Sequence, residues 1–267
     1  MTTNDLASLT GILDLTSLSG TESETDIKAL CQKGMSPADG LPTVAAICVY
    51  PLRVSTVAKA TQDTGVRVCA VSGGFPHAMS PLSAQLIETQ TVLDDGAHEV
   101  DIVIPKWAAH QGDWQAVQNH VAAHKSVCGD AMLKVILETG EMGSGGTDAT
   151  ATDGTPGVEM IAAASKAAIA GGADFLKTST GKVAISATVE AVEVMMKVVG
   201  EHHKTTGQTV GIKVAGGVRT VDQARPYIAL AEDHLPFDWR HPQHMRFGAS
   251  SLLDDITAQL HVSWHAS

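Results

Sequence analysis

A rhythm of short apolar runs alternating with longer helix-like segments, repeated eight times, is the feature that most constrains what this chain can become. The runs are "GILDLT" (11–16), "AAICVYP" (45–51), "VRVCAVSG" (66–73), "EVDIVIP" (99–105), "LKVILETG" (133–140), "DFLKTSTG" (174–181), "VGIKVAGG" (210–217) and "MRFGASS" (245–251). Unbroken strand–helix alternation implies right-handed βαβ units and a parallel sheet. Eight units are the number that closes a (β/α)8 TIM barrel, and 267 residues suit one such barrel, typically about 250 residues long. An open doubly wound sheet is the alternative that counting alone leaves standing.

No linker divides the chain, so residues 1–267 read as a single α/β domain. The one composition shift is "GEMGSGGTDATATDGTPG" (140–157), rich in Gly, Thr, Asp and Ala. It follows the fifth strand, which on a barrel puts it at the C-terminal face, as a plain mobile loop or as a lid. Between the strands, Ser80 is placed to cap a helix with Pro81 in its first turn. Thr220 and Gln223 have the spacing of a capping box, and Pro226 is expected to kink that helix or mark a boundary.

Composition narrows the partners. Hydrophobic residues make up 44% and aromatics only 4%, so the core must be built from Ala, Val, Ile, Leu and Met, which suits a helix-covered parallel sheet. A net charge of −11 with no basic run disfavours nucleic acid, and a phosphate must be held by a local site. Four scattered cysteines form no C-x-x-C pair. Cys48 and Cys69, inside apolar runs, read as buried reduced thiols needing no oxidising compartment. The N-terminus shows no secretory pattern and no segment approaches 18 uninterrupted apolar residues, so a soluble, cytoplasmic protein with no membrane partner is expected.

Chemistry is carried by charges placed inside strands that are covered on both faces, where an ionisable group is costly unless paired or used. Asp101, Lys177 and Lys213 break the apolar rule most strongly, and Asp14, Lys134 and Glu138 also do so. One such residue alone reads as a structurally paired charge. Three on strands four, six and seven read differently, because strands six and seven are neighbours roughly 4.8 Å apart. A free lysine has a pKa near 10.4, leaving about one molecule in 2,500 neutral at pH 7. Desolvation and a second ammonium both favour the neutral, nucleophilic amine; reaching about 7 gains roughly a thousandfold at about 4–5 kcal/mol. Lys213 is the candidate source of that repulsion, Lys177 the candidate nucleophile, and Asp101 the candidate proton shuttle: the constellation of a Schiff-base aldolase.

The turns after the last strands add anion donors. Gly181-Lys182, Gly216-Gly217 and Gly248-Ala249-Ser250-Ser251 follow strands six, seven and eight, where barrels frequently hold phosphate. Each turn alone is an ordinary βα turn; their joint placement beside the lysine pair is more specific. Thr180 belongs to the hydroxyl run that brings strand six to the mouth.

"EVDIVIP", "LKVILETG", "ADFLKTSTGK", "GIKVAGGVRT" and "RFGASS" together resemble, in order, the motifs of the deoxyribose-phosphate aldolase family, and "LDLT" and "AAICVYP" also fit. The resemblance implies a class I lyase, independent of metal and cofactor, in deoxyribose phosphate and nucleoside catabolism. It would cleave 2-deoxy-D-ribose 5-phosphate reversibly to acetaldehyde and D-glyceraldehyde 3-phosphate. Lys177 then matches the Schiff-base lysine, Lys213 the lysine that tunes it and Asp101 the proton-transfer aspartate. Gly181, Lys182, Gly216, Gly217, Ser250 and Ser251 fall on phosphate-binding segments, and Asp14 and Thr16 near the substrate hydroxyls. Val214 stands where many members have proline, Ala78 where glycine is common, and the 140–157 loop is longer. No tyrosine follows Tyr227, so a tail residue that assists protonation would have to be another kind.

Two other readings remain. One is a Schiff-base aldolase for a different aldehyde or sugar phosphate; the other is a non-catalytic sugar-phosphate-binding barrel, which predicts loss of Lys177, Lys213 or Asp101. All three are present. The twelve histidines show no H-E-x-x-H spacing, and His202-His203 reads as a solvated helix end rather than a metal site. The expected partner is a small-molecule substrate, with a homodimer as the working expectation for assembly.

Overall fold

The structure, a computed structural model, describes residues 2–142 and 157–265. Its eight strands are β1 (Leu13–Thr16), β2 (Ala46–Val49), β3 (Arg67–Val71), β4 (Glu99–Val103), β5 (Met132–Ile136), β6 (Phe175–Lys177), β7 (Gly211–Ala215) and β8 (Met245–Ala249). All pair in parallel in sequence order, and β1 pairs with β8, so the sheet is a closed barrel. Closure removes the open-sheet alternative and makes the chain a (β/α)8 TIM barrel. Most of the 140–157 insertion lies outside the described residues.

The helices are α1 (Thr3–Gly11), α2 (Glu24–Met35), α3 (Val54–Ala60), α4 (Leu82–Asp94), α5 (Lys106–His110), α6 (Trp114–Cys128), α7 (Val158–Ala170), α8 (Val189–Thr206), α9 (Val221–His234) and α10 (Leu252–His265). Alternation along each strand sends one residue set toward these helices and the other into the barrel. The outward set, including Leu15, Ile47, Val68, Ile102, Val135 and Ile212, is fully buried in one core cluster. Each such side chain contributes about 1.5–3 kcal/mol by leaving water. No helix among the described residues is long and apolar enough to cross a membrane.

The strands are shorter than the apolar runs because each run's C-terminal residues turn out of the sheet. Pro51 opens a 3-10 turn after β2, and Glu138 after β5 takes a left-handed φ of 59°. β6 spans only three residues, so the hydroxyl run of 178–180 is loop, not strand. The capping box at Thr220 and Gln223 forms as expected. Pro226 marks no boundary, since α9 continues through it to His234. Ser80 does not cap α4; Pro81 is the N-cap residue, its carbonyl accepts from the amides of Ala84 and Gln85, and the Gln85 side chain donates to the Ser80 carbonyl at 2.7 Å. Ala78, where glycine was the expectation by resemblance, sits at φ 52°, a region L-residues enter only with strain.

Candidate active site

The inward residues of six strands build a chain of buried charges down the barrel axis. Lys177 and Lys213 are register partners across β6 and β7, and both ammoniums reach the same oxygen of Asp101. Nζ of Lys177 donates to Asp101 Oδ2 at 2.7 Å, and Nζ of Lys213 donates to it at 2.8 Å. The other oxygen, Oδ1, accepts from Lys134 Nζ at 3.1 Å and from the Cys69 thiol at 3.2 Å. Lys213 also pairs with Asp14 at 2.6 Å, and Arg246 donates to Asp14 at 2.5 Å. Glu99 completes the floor, meeting Lys134 at 2.5 Å, Arg67 at 2.6 Å and Arg246 at 3.1 Å. Gly248 leaves room for this packing: a Cβ there would lie 3.0 Å from Lys213 Cε.

Three interior carboxylates, Asp14, Glu99 and Asp101, thus face four interior cations, Lys134, Lys177, Lys213 and Arg246. Compensation is uneven. Lys134 meets three carboxylates, Lys213 and Arg246 meet two each, and Lys177 meets Asp101 alone. Burial pushes the Asp101 carboxyl up, but Lys134, Lys177 and Lys213 together outweigh it and hold the group well below the usual carboxylate range. Burial likewise opposes the charge on Lys213, yet Asp101 and Asp14 hold its ammonium above the ordinary lysine range. Before any ligand binds, Lys213 is therefore a cation beside Lys177, and Asp101 an anion between them.

Above Lys177 a cavity of about 390 Å³ opens at the C-terminal mouth. Thr16, Thr180, Gly181, Lys182, Gly216, Gly217 and Ser250 line it, as does Arg219, which sequence reasoning did not single out. Gly216 is required by two constraints, a φ of 86° and a would-be Cβ only 2.5 Å from the Ser186 side chain. The hydroxyls after β6 set the turn. Thr178 bridges to β7 through both the N–H and the carbonyl of Ala215, and Thr180 donates to Glu138 at 2.6 Å while accepting from the Lys182 amide. The Lys182 ammonium reaches across the mouth to the Leu18 carbonyl. Ser250 and Ser251 directly precede α10.

The predicted residues separate into two levels. Thr16, Thr180, Gly181, Lys182, Gly216, Gly217 and Ser250 meet at the cavity; Ser251 lies just behind, its carbonyl accepting from the amides of Asp254 and Asp255. Asp14 does not line the cavity, because Lys213 and Arg246 take up its oxygens below it. Glu99 and Arg246 were missed, although both occupy inward positions of their strands, Glu99 two residues before Asp101. A larger cavity of about 840 Å³ lies at the opposite, N-terminal end, but Arg67, Arg246 and Asp174 on its wall are already engaged by Glu99, Asp14 and Lys125. The tail beyond His265 lies outside the described residues.

Comparison with known proteins fits this geometry. A family model described as DeoC/LacD family aldolase matches residues 11–257. The chain is 37% identical over 262 residues to a Mus musculus deoxyribose-phosphate aldolase, covering 93% of this chain and 78% of that protein. It is 35% identical over 262 residues to the Homo sapiens deoxyribose-phosphate aldolase, with the same coverage. Among solved structures, the tetrameric deoxyribose phosphate aldolase of Aeropyrum pernix superimposes with a TM-score of 0.69 at 25% identity, over 97% of this chain and 92% of that one.

Proposed function

The chain belongs to the DeoC/LacD aldolase family, and from that membership we propose that it cleaves 2-deoxy-D-ribose 5-phosphate reversibly to acetaldehyde and D-glyceraldehyde 3-phosphate through a Schiff base on Lys177. One observation carries the reading: Lys177, at the base of the mouth cavity, shares a single carboxylate oxygen with the cation Lys213. Of the four interior cations, Lys177 has the fewest carboxylate partners among the described residues, meeting Asp101 alone.

In the forward direction, the neutral Lys177 amine attacks the C1 aldehyde of the open-chain sugar. The carbinolamine loses water to give an iminium. Its positive nitrogen draws electrons as the C2–C3 bond breaks; the C3 hydroxyl loses its proton and leaves as the aldehyde of glyceraldehyde 3-phosphate. The resulting enamine takes a proton at C2, and water then releases acetaldehyde and the free lysine. Asp101 is the proposed proton carrier nearest the nitrogen, with Lys213 holding the site electropositive.

Gly181, Lys182, Gly216, Gly217, Ser250 and Ser251 are proposed to hold the phosphate, assisted by Arg219, with Thr16 and Thr180 toward the sugar hydroxyls and Asp14 acting through Lys213. The whole of 1–267 is proposed to act as one aldolase domain in a cytoplasmic setting, which suits its four free cysteines. A homodimer is proposed through exposed Leu52, Met79 and Ile87, which lie on or beside the 3-10 turn and α4 that pack together. Light scattering tests this, and a monomer would exclude it.

The test of the reaction is reductive trapping. Acetaldehyde with borohydride should attach an ethyl group to Lys177, located by peptide mapping. Labelling elsewhere, or none, would overturn the assignment.

A further inference from the structure

Cys48 and Cys69 form a dithiol inside the barrel that the aldol chemistry does not use. They are register partners across β2 and β3, strands spaced roughly 4.8 Å apart, within the Cα separation of about 4.4–6.8 Å over which a disulfide closes. Both belong to the inward set with Ala46 and Val71, and both are fully buried. The two sulfurs and an oxygen of Asp101 all lie within 4.8 Å of one another.

The pair is wired to the catalytic centre. Cys69 donates its thiol hydrogen to Asp101 Oδ1 and accepts from Lys134 Nζ, both at 3.2 Å. The neighbouring Cys69 side chain, with help from the Lys213 charge against burial, draws the Cys48 thiol down to about 7. Burial pushes Cys31 and Cys128, in α2 and α6, up to about 11, so those thiols are held unreactive. A soft cation would find two sulfurs and a carboxylate here, but also the ammoniums of Lys134, Lys177 and Lys213 crowded on that same carboxylate. A neutral covalent link meets no such repulsion.

We propose that Cys48 and Cys69 are a reversible oxidation site through which peroxide switches the catalytic centre off. Hydrogen peroxide, entering through the mouth beside Lys177, converts the Cys48 thiolate to a sulfenic acid, its oxygen–oxygen bond breaking to leave hydroxide. The Cys69 thiol then attacks that sulfur and expels water, forming the disulfide. Overall, two thiols and one peroxide give one disulfide and two waters. The thiol hydrogen on Asp101 Oδ1 is consumed, so the carboxylate that positions Lys177 and Lys213 loses one of its donors.

The experiment treats the full chain with hydrogen peroxide, alkylates remaining thiols under denaturing conditions and maps peptides without reduction. The expected result is a linked Cys48–Cys69 peptide that accumulates in step with a roughly tenfold fall in turnover, the scale of one lost hydrogen bond to a charged group, and dithiothreitol reverses both. Cys31→Ala/Cys128→Ala should respond as the unsubstituted chain does, whereas Cys69→Ala should lose the reversible phase. Activity loss without the linked peptide, or the linked peptide without activity loss, would overturn the proposal. Mapping does not depend on the substrate reading, so a chain that links but never cleaved deoxyribose 5-phosphate would count against that reading, and the linkage would then be followed through the Lys177 trapping yield.

Discussion

Arg246 at the floor of the barrel and Lys182 at its mouth are both cations beside a cavity, yet their surroundings differ in kind. Every nitrogen of the Arg246 guanidinium is engaged, by Asp14, Glu99 and the Pro242 carbonyl, and the side chain is 1% exposed. Lys182 is exposed and, among the described residues, its ammonium reaches only a backbone carbonyl. Charges that are mutually satisfied hold the strands in register; charges left with one weak partner are available to a ligand. Lys177 and Lys213 stand at the border, one with a single carboxylate and one with two. Proximity to a cavity therefore says less about function than the number of partners each group already has.

Lys213→Met attacks that border and should have the largest effect. Turnover is expected to fall roughly a hundredfold or more, the scale of a positioned proton-transfer or charge partner. The lysine also compensates Asp14 and Asp101, so stability should drop by about 3–5 kcal/mol, the usual cost of breaking a buried pair. The second carboxylate, Asp14, is why the fold is affected as well as the chemistry. Steady-state kinetics and chemical denaturation read the two effects separately, and near-normal turnover would remove Lys213 from the mechanism.

Glu99→Gln strikes the floor only. A loss of about 3 kcal/mol in stability is expected, because Lys134 and Arg246 each lose a carboxylate, while turnover at saturating substrate should change by no more than a few-fold. A large fall in turnover at unchanged stability would erase the distinction between floor and mouth.

The parts visible in the sequence were those fixed by local periodicity. Alternation placed Phe175 and Lys177 on one face, and adjacent strands then had to bring Lys177 and Lys213 together. The glycine turns after β6 and β7 were legible because positive φ values, 76° at Gly181 and 86° at Gly216, select glycine. The floor was not legible. Arg246 meets Asp14 across 232 positions of sequence and Glu99 across 147, and no local pattern specifies which inward charges will share a layer. The same is true of Arg219, whose role depends on which way a loop carries it. The start of α4 was misplaced because Pro81 supplies the first helical carbonyl itself.

Acid separates the barrel interior from its helical jacket. On α6, His120 and His124 stack 4.8 Å apart; His124 hydrogen-bonds Thr89 of α4, which reaches Ser72, and His120 bonds the backbone of Val103. Burial lowers His120 to about 4, and burial with the neighbouring ring lowers His124 to about 3. Below an unfolded value near 6.5 the unfolded chain binds the protons that the folded one refuses, so stability is present above about 6.5 and declines as pH falls from there toward 4. At pH 5 each histidine should cost on the order of 2 kcal/mol. The depressed carboxyls Asp14, Glu99 and Asp101 contribute above their unfolded values of about 4, and that contribution is lost only below them. Denaturation midpoints between pH 7.5 and 5 should fall, and His120→Gln should flatten the decline; an unchanged slope would place the acid sensitivity outside this histidine pair.

Lys182→Ala tests the mouth with the smallest and most selective effect. Its ammonium has no carboxylate partner among the described residues, so removing it strands no buried charge and stability should hold within about 0.5 kcal/mol. If the mouth cavity binds phosphate, KM for deoxyribose 5-phosphate should rise roughly tenfold, the scale of one charge-assisted hydrogen bond, with turnover changed little. Unphosphorylated deoxyribose should be cleaved by the variant and the unsubstituted chain alike, because nothing in its binding uses that ammonium. Raising ionic strength should weaken the phosphorylated substrate's binding to the unsubstituted chain more than to the variant, since an exposed ammonium is screened whereas Arg246 at the floor is not. Equal loss on both substrates would mean that the Lys182 side chain shapes the mouth, through its reach to the Leu18 carbonyl, rather than meeting the phosphate.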